Sequence, residues 1–350
     1  MNLSSLSQSM IAAGLACEHL EGESGTLLVM PFGGRVMGLF APGSAENFLW
    51  VNDAFASSAA ITALMNAESW MNSGGDRTWL APEADHFFPE FPSDQRFVPP
   101  VEFEPGAYRR IAEGGAGCCT LQDEFSTTGV RSGSVNRVRL TKSFSLIENP
   151  IADPTIGHAA EYAGYRATTT LVLQNRIAES YPINIWSLLQ LPHGGTMLVP
   201  TVERTAPTTF FGEVPGDAIE VSDKMVRYRM DATGAQKIGL SAESCVGRAG
   251  YRYVAGDEEA LIVRQFQIDP AGAYLDAPMS ALDDHGYAFQ ACNISNASQG
   301  SYVELEYHVP AIGGWTGRTE SIDVSEVWAY RGPSQVIDEV EQILLSEDSS

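Results

Sequence analysis

The sequence predicts an all-β sandwich of antiparallel strands. Apolar residues alternate with polar ones in many short runs, the runs are separated by Gly, Asn, Asp and Pro, and stretches with helical spacing are few. The 350 residues include 33 Gly and 19 Pro and are 44% hydrophobic, which describes a turn-rich globular chain with material for a large core. All-β sandwiches routinely exceed the usual domain size, and no repeat, low-complexity tract or composition shift marks a boundary, so residues 1–350 are read as one domain.

In chain order, the apolar patch Met10 to Ala16 predicts a short amphipathic helix over about residues 4–20, and no Lys or Arg precedes it as a secretory signal would require. Gly25 to Phe40 reads as a hairpin turning at Gly33 and Gly34. Phe55 to Met71 has helical spacing with few β-branched residues and is expected to cross one edge of the sheets. Ala81 to Gly106, dense in Pro, Phe and acidic residues and without periodicity, is a long ordered loop of the kind that covers sites. Strands are expected at Ser134 to Leu146, Ala167 to Asn175, Ile183 to Leu191, Met225 to Met230, Tyr287 to Ile294 and Ser301 to Val309, with a second hairpin from Gly247 to Asp269 turning near Ala255-Gly256-Asp257. Pro333 and Ser334 open a final helix over about 334–346, in which Val336, Ile337, Val340, Ile343 and Leu344 form one apolar stripe. A frayed tail is expected from Ser346 to Ser350.

Twenty-one Lys and Arg against 44 Asp and Glu give a formal charge of −23, which repels phosphate backbones and anionic lipid surfaces. Nucleic acid and membrane are therefore excluded as expected partners, and no stretch approaches the roughly 18 to 20 apolar residues of a membrane span. Cys17, Cys118, Cys119, Cys245 and Cys292 are odd in number and irregular in spacing, fitting neither a disulfide framework nor a zinc ribbon. Adjacent Cys118 and Cys119 are read as two free thiols in a loop. The expected setting is soluble, reducing and cytoplasmic, with the oligomeric state left open.

Three segments concentrate chemistry. In Ser301 to Pro310, a period of two sends Val303, Leu305, Tyr307 and Val309 to one face and Tyr302, Glu304, Glu306 and His308 to the other. Neighbouring carboxylates raise one another's pKa and suit acid and base work, but the same alternation also describes a solvated sheet face. Gly74 to Glu83, followed by His86, gathers Arg77, Trp79 and Glu83 after a paired glycine: a guanidinium fork for hydroxyls and an indole for stacking on a pyranose, or a turn with a buried Trp79 and a structural Arg77 to Glu83 pair. In Asn184 to Gly195, Trp186 and Gln190 alternate along a strand and His193 sits in the following turn; Trp186 is a second stacking platform or a core residue.

There is no G-x-S-x-G elbow, P-loop, dinucleotide fingerprint or H-E-x-x-H helix, and His19, His158 and His285 have no metal-site spacing. No cofactor and no metal are expected.

These segments, in order, resemble the aldose 1-epimerases and their galactose-mutarotase-like relatives. GGRVMGLF (33–40) and NFLWVN (47–52) are similar to the family's opening hairpin, GGDRTWLAPE (74–83) to the segment supplying a substrate-binding Arg, and LVLQN (171–175) to the strand before its acid-bearing segment. IWSLLQLPHGGTMLVP (185–200) and KIGLSAE (237–243) resemble later strands, and LEYHVPA (305–311) the motif carrying the catalytic Glu. The resemblance implies a supersandwich of large antiparallel sheets with a few short helices, holding a mono- or oligosaccharide on a concave face. It further implies Glu306 as the base that removes the anomeric hydroxyl proton, Arg77 as a substrate clamp, and an imidazole that protonates the ring oxygen.

The sequence departs from the family at that imidazole. No histidine lies between Asn175 and Gln190, and Trp186 stands near the expected position. His193, His86 or His308 would have to act from another direction, with Trp79, Glu83, Trp186 and Glu304 lining the sugar. Three functions follow: anomer interconversion, inert carbohydrate binding, or hydrolysis or elimination on a modified saccharide, the last needing a facing acid such as Glu83.

Overall fold

Alternation becomes pairing in the computed structural model, which describes residues 1–67, 70, 72–115 and 117–346. Two antiparallel sheets of nine and ten strands are present among these residues. The first runs, in spatial order, β1 (Glu18–Gly22), β2 (Gly25–Met30), β3 (Arg35–Phe40), β4 (Asp76–Ala81), β9 (Asn184–Pro192), β18 (Gly300–His308), β17 (Phe289–Asn296), β14 (Gly234–Leu240) and β11 (Thr208–Phe211). The second runs β12 (Ile219–Val221), β13 (Met225–Met230), β10 (Gly195–Pro200), β15 (Arg248–Ala255), β16 (Glu258–Gln265), β19 (Glu320–Gly332), β8 (Glu161–Leu173), β7 (Val135–Leu146), β6 (Cys118–Thr128) and β5 (Arg109–Ile111).

Every strand expected from alternation is present, and both hairpins turn where the glycines place them. Gly33 and Gly34 carry φ of 84° and 56° between β2 and β3, a conformation that disfavours side chains with a Cβ. The main core lies between the sheets, where Leu189, Leu191, Val303 and Leu305 of the first meet Leu121, Leu140, Leu171 and Ala329 of the second. A second cluster lies under the C-terminal helix α5 (Ser334–Leu345), in which Ile337, Val340, Leu344 and Leu345 are buried while Ile343 faces outward.

Several elements differ from expectation for identifiable reasons. The N-terminal helix α1 spans only Leu3–Ala12, because Gly14 adopts φ 83° and residues 18–22 pair with β2. Helical spacing from Phe55 resolves into a 3-10 turn at Asp53–Ala56 and α2 (Ser58–Met65), separated by extended Ser57, whose hydroxyl caps Ala60 N. Glu68, Ser69, Met71 and the tail residues 347–350 lie outside the described residues. Cys118 and Cys119 sit in strand β6 rather than a loop, and both are free thiols.

Strand β19, absent from the expected set, shows why alternation can mislead. Its inward positions Ser321, Asp323 and Ser325 are polar while Ile322 is 55% exposed, so the period is intact but its sign is reversed. The inward polar groups join a buried network: Asp323 pairs with Tyr307, and Arg264 donates to Ser325 at 3.1 Å and to Asp76 at 2.9 Å. The remaining helices are α3 (Glu83–His86) and α4 (Pro154–Ala159). No helix among the described residues is long and apolar enough to cross a membrane.

Candidate functional site

Strand registers bring the chemistry together. Trp186 stands opposite Trp79, Leu188 opposite Arg77 and Glu306, and Gln190 opposite Glu304, while Glu304 and Lys237 both flank Cys292. These side chains share one face of the nine-stranded sheet, and Trp79, Trp186 and Leu188 among them belong to the main buried cluster. The opposite face of the same strands carries Val303, Leu305 and Tyr307 into the interior, as the period of two requires.

The polar face is not solvated. Residues 83–97 and 276–279 lie over it, enclosing a cavity of about 320 Å³ lined by Arg77, Trp79, Glu83, Trp186, Glu304 and Glu306, together with Lys237, Cys292, Phe210 and Tyr302. Glu306 and His308 are fully buried. The loop is held from below: Glu104 pairs with Arg35 and accepts from Trp79 Nε1 at 3.3 Å, while Asp276 accepts from Glu83 N at 2.7 Å and from Gln290 Nε2 at 2.7 Å. The paired glycines before Arg77 are required by backbone approach: a Cβ on Gly75 would stand 2.0 Å from Val36 O, and both have positive φ.

Within the cavity, Arg77 Nη2 donates to Glu304 Oε1 at 2.7 Å, and Gln190 Nε2 donates to the same oxygen at 2.9 Å. The anticipated Arg77 to Glu83 pair is therefore replaced by Arg77 to Glu304, across 227 residues of sequence. Trp186 Nε1 donates to Glu306 Oε2 at 2.7 Å, and Lys237 Nζ lies 3.1 Å from that oxygen and 3.5 Å from Glu83 Oε2. Among the buried polar atoms of the lining residues, Trp70 Nε1, Glu306 Oε1, Arg77 Nε and Arg77 Nη1 have no protein partner. The aromatic walls are charged from beneath: the Arg77 guanidinium lies 4.1 Å from the Trp79 ring centroid and the Lys237 ammonium 4.6 Å from that of Trp186.

Burial raises the Glu306 pKa, opposed by Lys237 and reinforced by Glu304 and Glu83. Burial likewise opposes the Lys237 charge, but Glu306, Glu83 and Asp276 outweigh it and hold its pKa above the ordinary lysine value. The Cys292 thiol is driven upward by burial and by the same carboxylates, leaving it protonated and unreactive. Donor atoms of Cys292, Glu304 and Glu306 lie within 4.8 Å of one another. Their carboxylates are already engaged by Arg77 and Lys237, so a further cation would meet two positive charges.

The three histidines occupy different places. His308 shares the face with Glu306 but is sealed beneath Trp186, its ring stacked at 5.5 Å and 17°, with Nδ1 accepting from Asn184 at 3.0 Å and Nε2 4.0 Å from Asp276. His86 ends α3 outside the cavity, against Phe103 and 3.2 Å from Thr127 Oγ1. His193 lies in the turn from β9 to β10, where the chain changes sheets, 3.3 Å from Ala232 O. None of the three lines the cavity. Lys237 is absent from the expected site; the chain has only three lysines, Lys142, Lys224 and Lys237, and Lys237, like Lys142, sits inside a strand.

Burial lowers the pKa of His86 and of His308 to about 3, so both are neutral in the folded protein. A depressed histidine pKa contributes stability that is complete above the unfolded value of 6.5 and is lost as pH falls toward 3. His86→Gln is accordingly expected to lose less stability between pH 7 and pH 4 than the wild type does. Denaturant titrations at the two pH values check this, and equal losses would remove His86 from the acid response.

A larger open groove of about 840 Å³, bordered by Asp85, Arg131, Tyr274 and Trp315, lies outside this constellation.

Among solved structures, the chain is similar to a galactose mutarotase-like protein from Lactobacillus casei ATCC 334, with 9% identity and a TM-score of 0.53 over 90% of this chain and 100% of that one. A galactose mutarotase related enzyme from Lactobacillus acidophilus is 10% identical, with a TM-score of 0.49 over 89% and 97% of the two chains. The fold is thus galactose-mutarotase-like, as the order of motifs implied. No curated protein matches the sequence. A family model matches residues 9–346, and the chain belongs to that family, described as a family of unknown function, DUF6786.

Proposed function

We propose that the cavity binds a saccharide ring and interconverts its anomers, with Glu306 as base and Arg77 as clamp. The observation that carries this reading is that Glu306 and Arg77, each with buried polar atoms that have no protein partner, line one cavity with Trp79 and Trp186. A sugar ring supplies what these groups lack: hydroxyls that donate to the carboxylate, oxygens that accept from the guanidinium, and an apolar face for the indoles.

Glu304 Oε1 accepts from both Arg77 and Gln190, which suits a positioning role. Hydrolysis or elimination is less well supported, because the Lys237 ammonium stands between Glu83 and Glu306. A glycosidic bond placed between those carboxylates would have to displace it. A cytoplasmic setting accords with five cysteines that are free among the described residues.

Exchange NMR on a panel of free aldoses tests the reading: at least one is expected to interconvert its anomers faster than in buffer. Because the Glu306 pKa is raised, the rate is expected to climb with pH above 4.5, where an ordinary glutamate is already half ionised. No acceleration for any aldose, with calorimetric binding retained, would leave an inert carbohydrate-binding protein.

A further inference from the structure

We infer that Lys237 is the proton donor to the sugar's ring oxygen, acting opposite Glu306 in place of the imidazole the cavity lacks. The inference rests on the anomer-interconversion reading above. Three observations converge on this side chain. It is 2% exposed yet lines the cavity, an unusual position for a lysine. Its ammonium touches Glu306 Oε2 at 3.1 Å, so donor and base face the same space from strands β14 and β18 with β17 between them. It also touches Glu83 Oε2 at 3.5 Å, a second carboxylate brought by the covering loop, where a simple structural ion pair would need only one.

The same environment excludes the alternative chemistry of a buried lysine. A Schiff base with an open-chain aldehyde needs a free amine, and two carboxylates keep this nitrogen protonated. In that state it holds a proton and cannot attack a carbonyl. The histidines do not compete for the role, since none lines the cavity and His308 and His86 are neutral.

The step balances. Glu306 Oε1 takes the proton of the anomeric hydroxyl, the O1–H electrons form the C1=O1 double bond, and the C1–O5 bond breaks with its electrons going to O5. Lys237 passes one ammonium proton to O5 as Glu306, now protonated, no longer holds the ammonium charge. After rotation about C1–C2, the neutral Lys237 amine takes the O5 proton back as O5 attacks the other face of C1. Glu306 returns its proton to O1, and both groups end as they began.

The test compares wild type, Lys237→Arg and Lys237→Met by exchange NMR across pH on whichever aldose the wild type accelerates, with calorimetric affinity for that sugar and thermal melting measured in parallel. Arginine keeps the charge and the contacts but does not release its proton. Lys237→Arg is expected to bind the sugar within a few-fold of wild type while its exchange rate falls by about 100-fold or more. Lys237→Met is expected to lose the rate as well and, having removed the cation beside Glu306, to move any residual activity to higher pH. If Lys237→Met does not fold, Lys237→Arg alone decides. A Lys237→Arg rate within a few-fold of wild type overturns the inference and leaves Lys237 a structural cation. A wild type that accelerates no aldose overturns the underlying reading, and with it this one.

Discussion

Glu306→Gln is expected to bind sugar about as well as the wild type and to interconvert anomers about 10²- to 10⁴-fold more slowly, the usual contribution of a positioned general base. The substitution preserves shape, and the amide oxygen still accepts from Trp186 Nε1, so the cavity floor is retained. What it removes is a carboxylate oxygen of the cavity lining, Oε1, that has no existing partner to lose. Glu304 holds Arg77 and Gln190 through Oε1, so its role differs from that of Glu306. The comparison with Glu304→Gln is informative, because that change releases Arg77 and is expected to weaken binding as well as rate. Exchange NMR and calorimetry on both variants separate the roles; an unchanged rate in Glu306→Gln would end the assignment of Glu306 as base.

Arg264→Met is expected to cost about 3–5 kcal/mol of stability, the range seen when one partner of a buried ion pair is removed. The methionine fills much of the volume, but Asp76 then keeps only the Tyr165 hydroxyl, at 2.6 Å, in the core between the sheets. Tyr307 would also lose the guanidinium that lies 4.8 Å from its ring. Asp76 precedes Arg77 on β4 and faces the opposite way, so this network fixes the strand that carries Arg77. Guanidinium unfolding of Arg264→Met, Asp76→Asn and the double variant checks the coupling. The double variant is expected to be more stable than the two single losses added together, since it leaves no unpaired charge; strict additivity would show that the two residues are not coupled.

Much of the site was legible because it lies on strands whose side chains alternate. The period of two in SYVELEYHVP put Tyr302, Glu304, Glu306 and His308 on one face, and that face carries the cavity carboxylates. Arg77, Trp79 and Glu83 were gathered by one short segment, and Trp186 by another. Lys237 was illegible for the same local reason. Its same-face neighbours on β14, Ala235 and Gly239, contribute no pattern, and the inward residues Gln236 and Ile238 mix polar with apolar. Strand β19 was hidden by its polar inward positions, which make sense only beside Arg264 and Tyr307.

The three histidines mark the limit of composition as a guide. An imidazole was expected to serve as acid, and each candidate proved to be placed by packing: His308 under Trp186, His86 against Phe103, and His193 in a turn between sheets. Burial, not residue type, determines the protonation of His308 and His86.

The sequence by itself determined the β class, the turn positions, the two faces of each recognised strand and the residue types available for acid and base chemistry. These depend on interactions within a few residues, namely alternation, glycine conformation and helix spacing. Tertiary structure decided which of those faces is sealed, which charges neutralise one another and which cation stands beside Glu306. Arg77 meets Glu304 across 227 residues, and Lys237 reaches Glu306 only after β14, β17 and β18 are laid side by side. Such pairings carry no local signature, because the free energy that selects them comes from burying one strand against another.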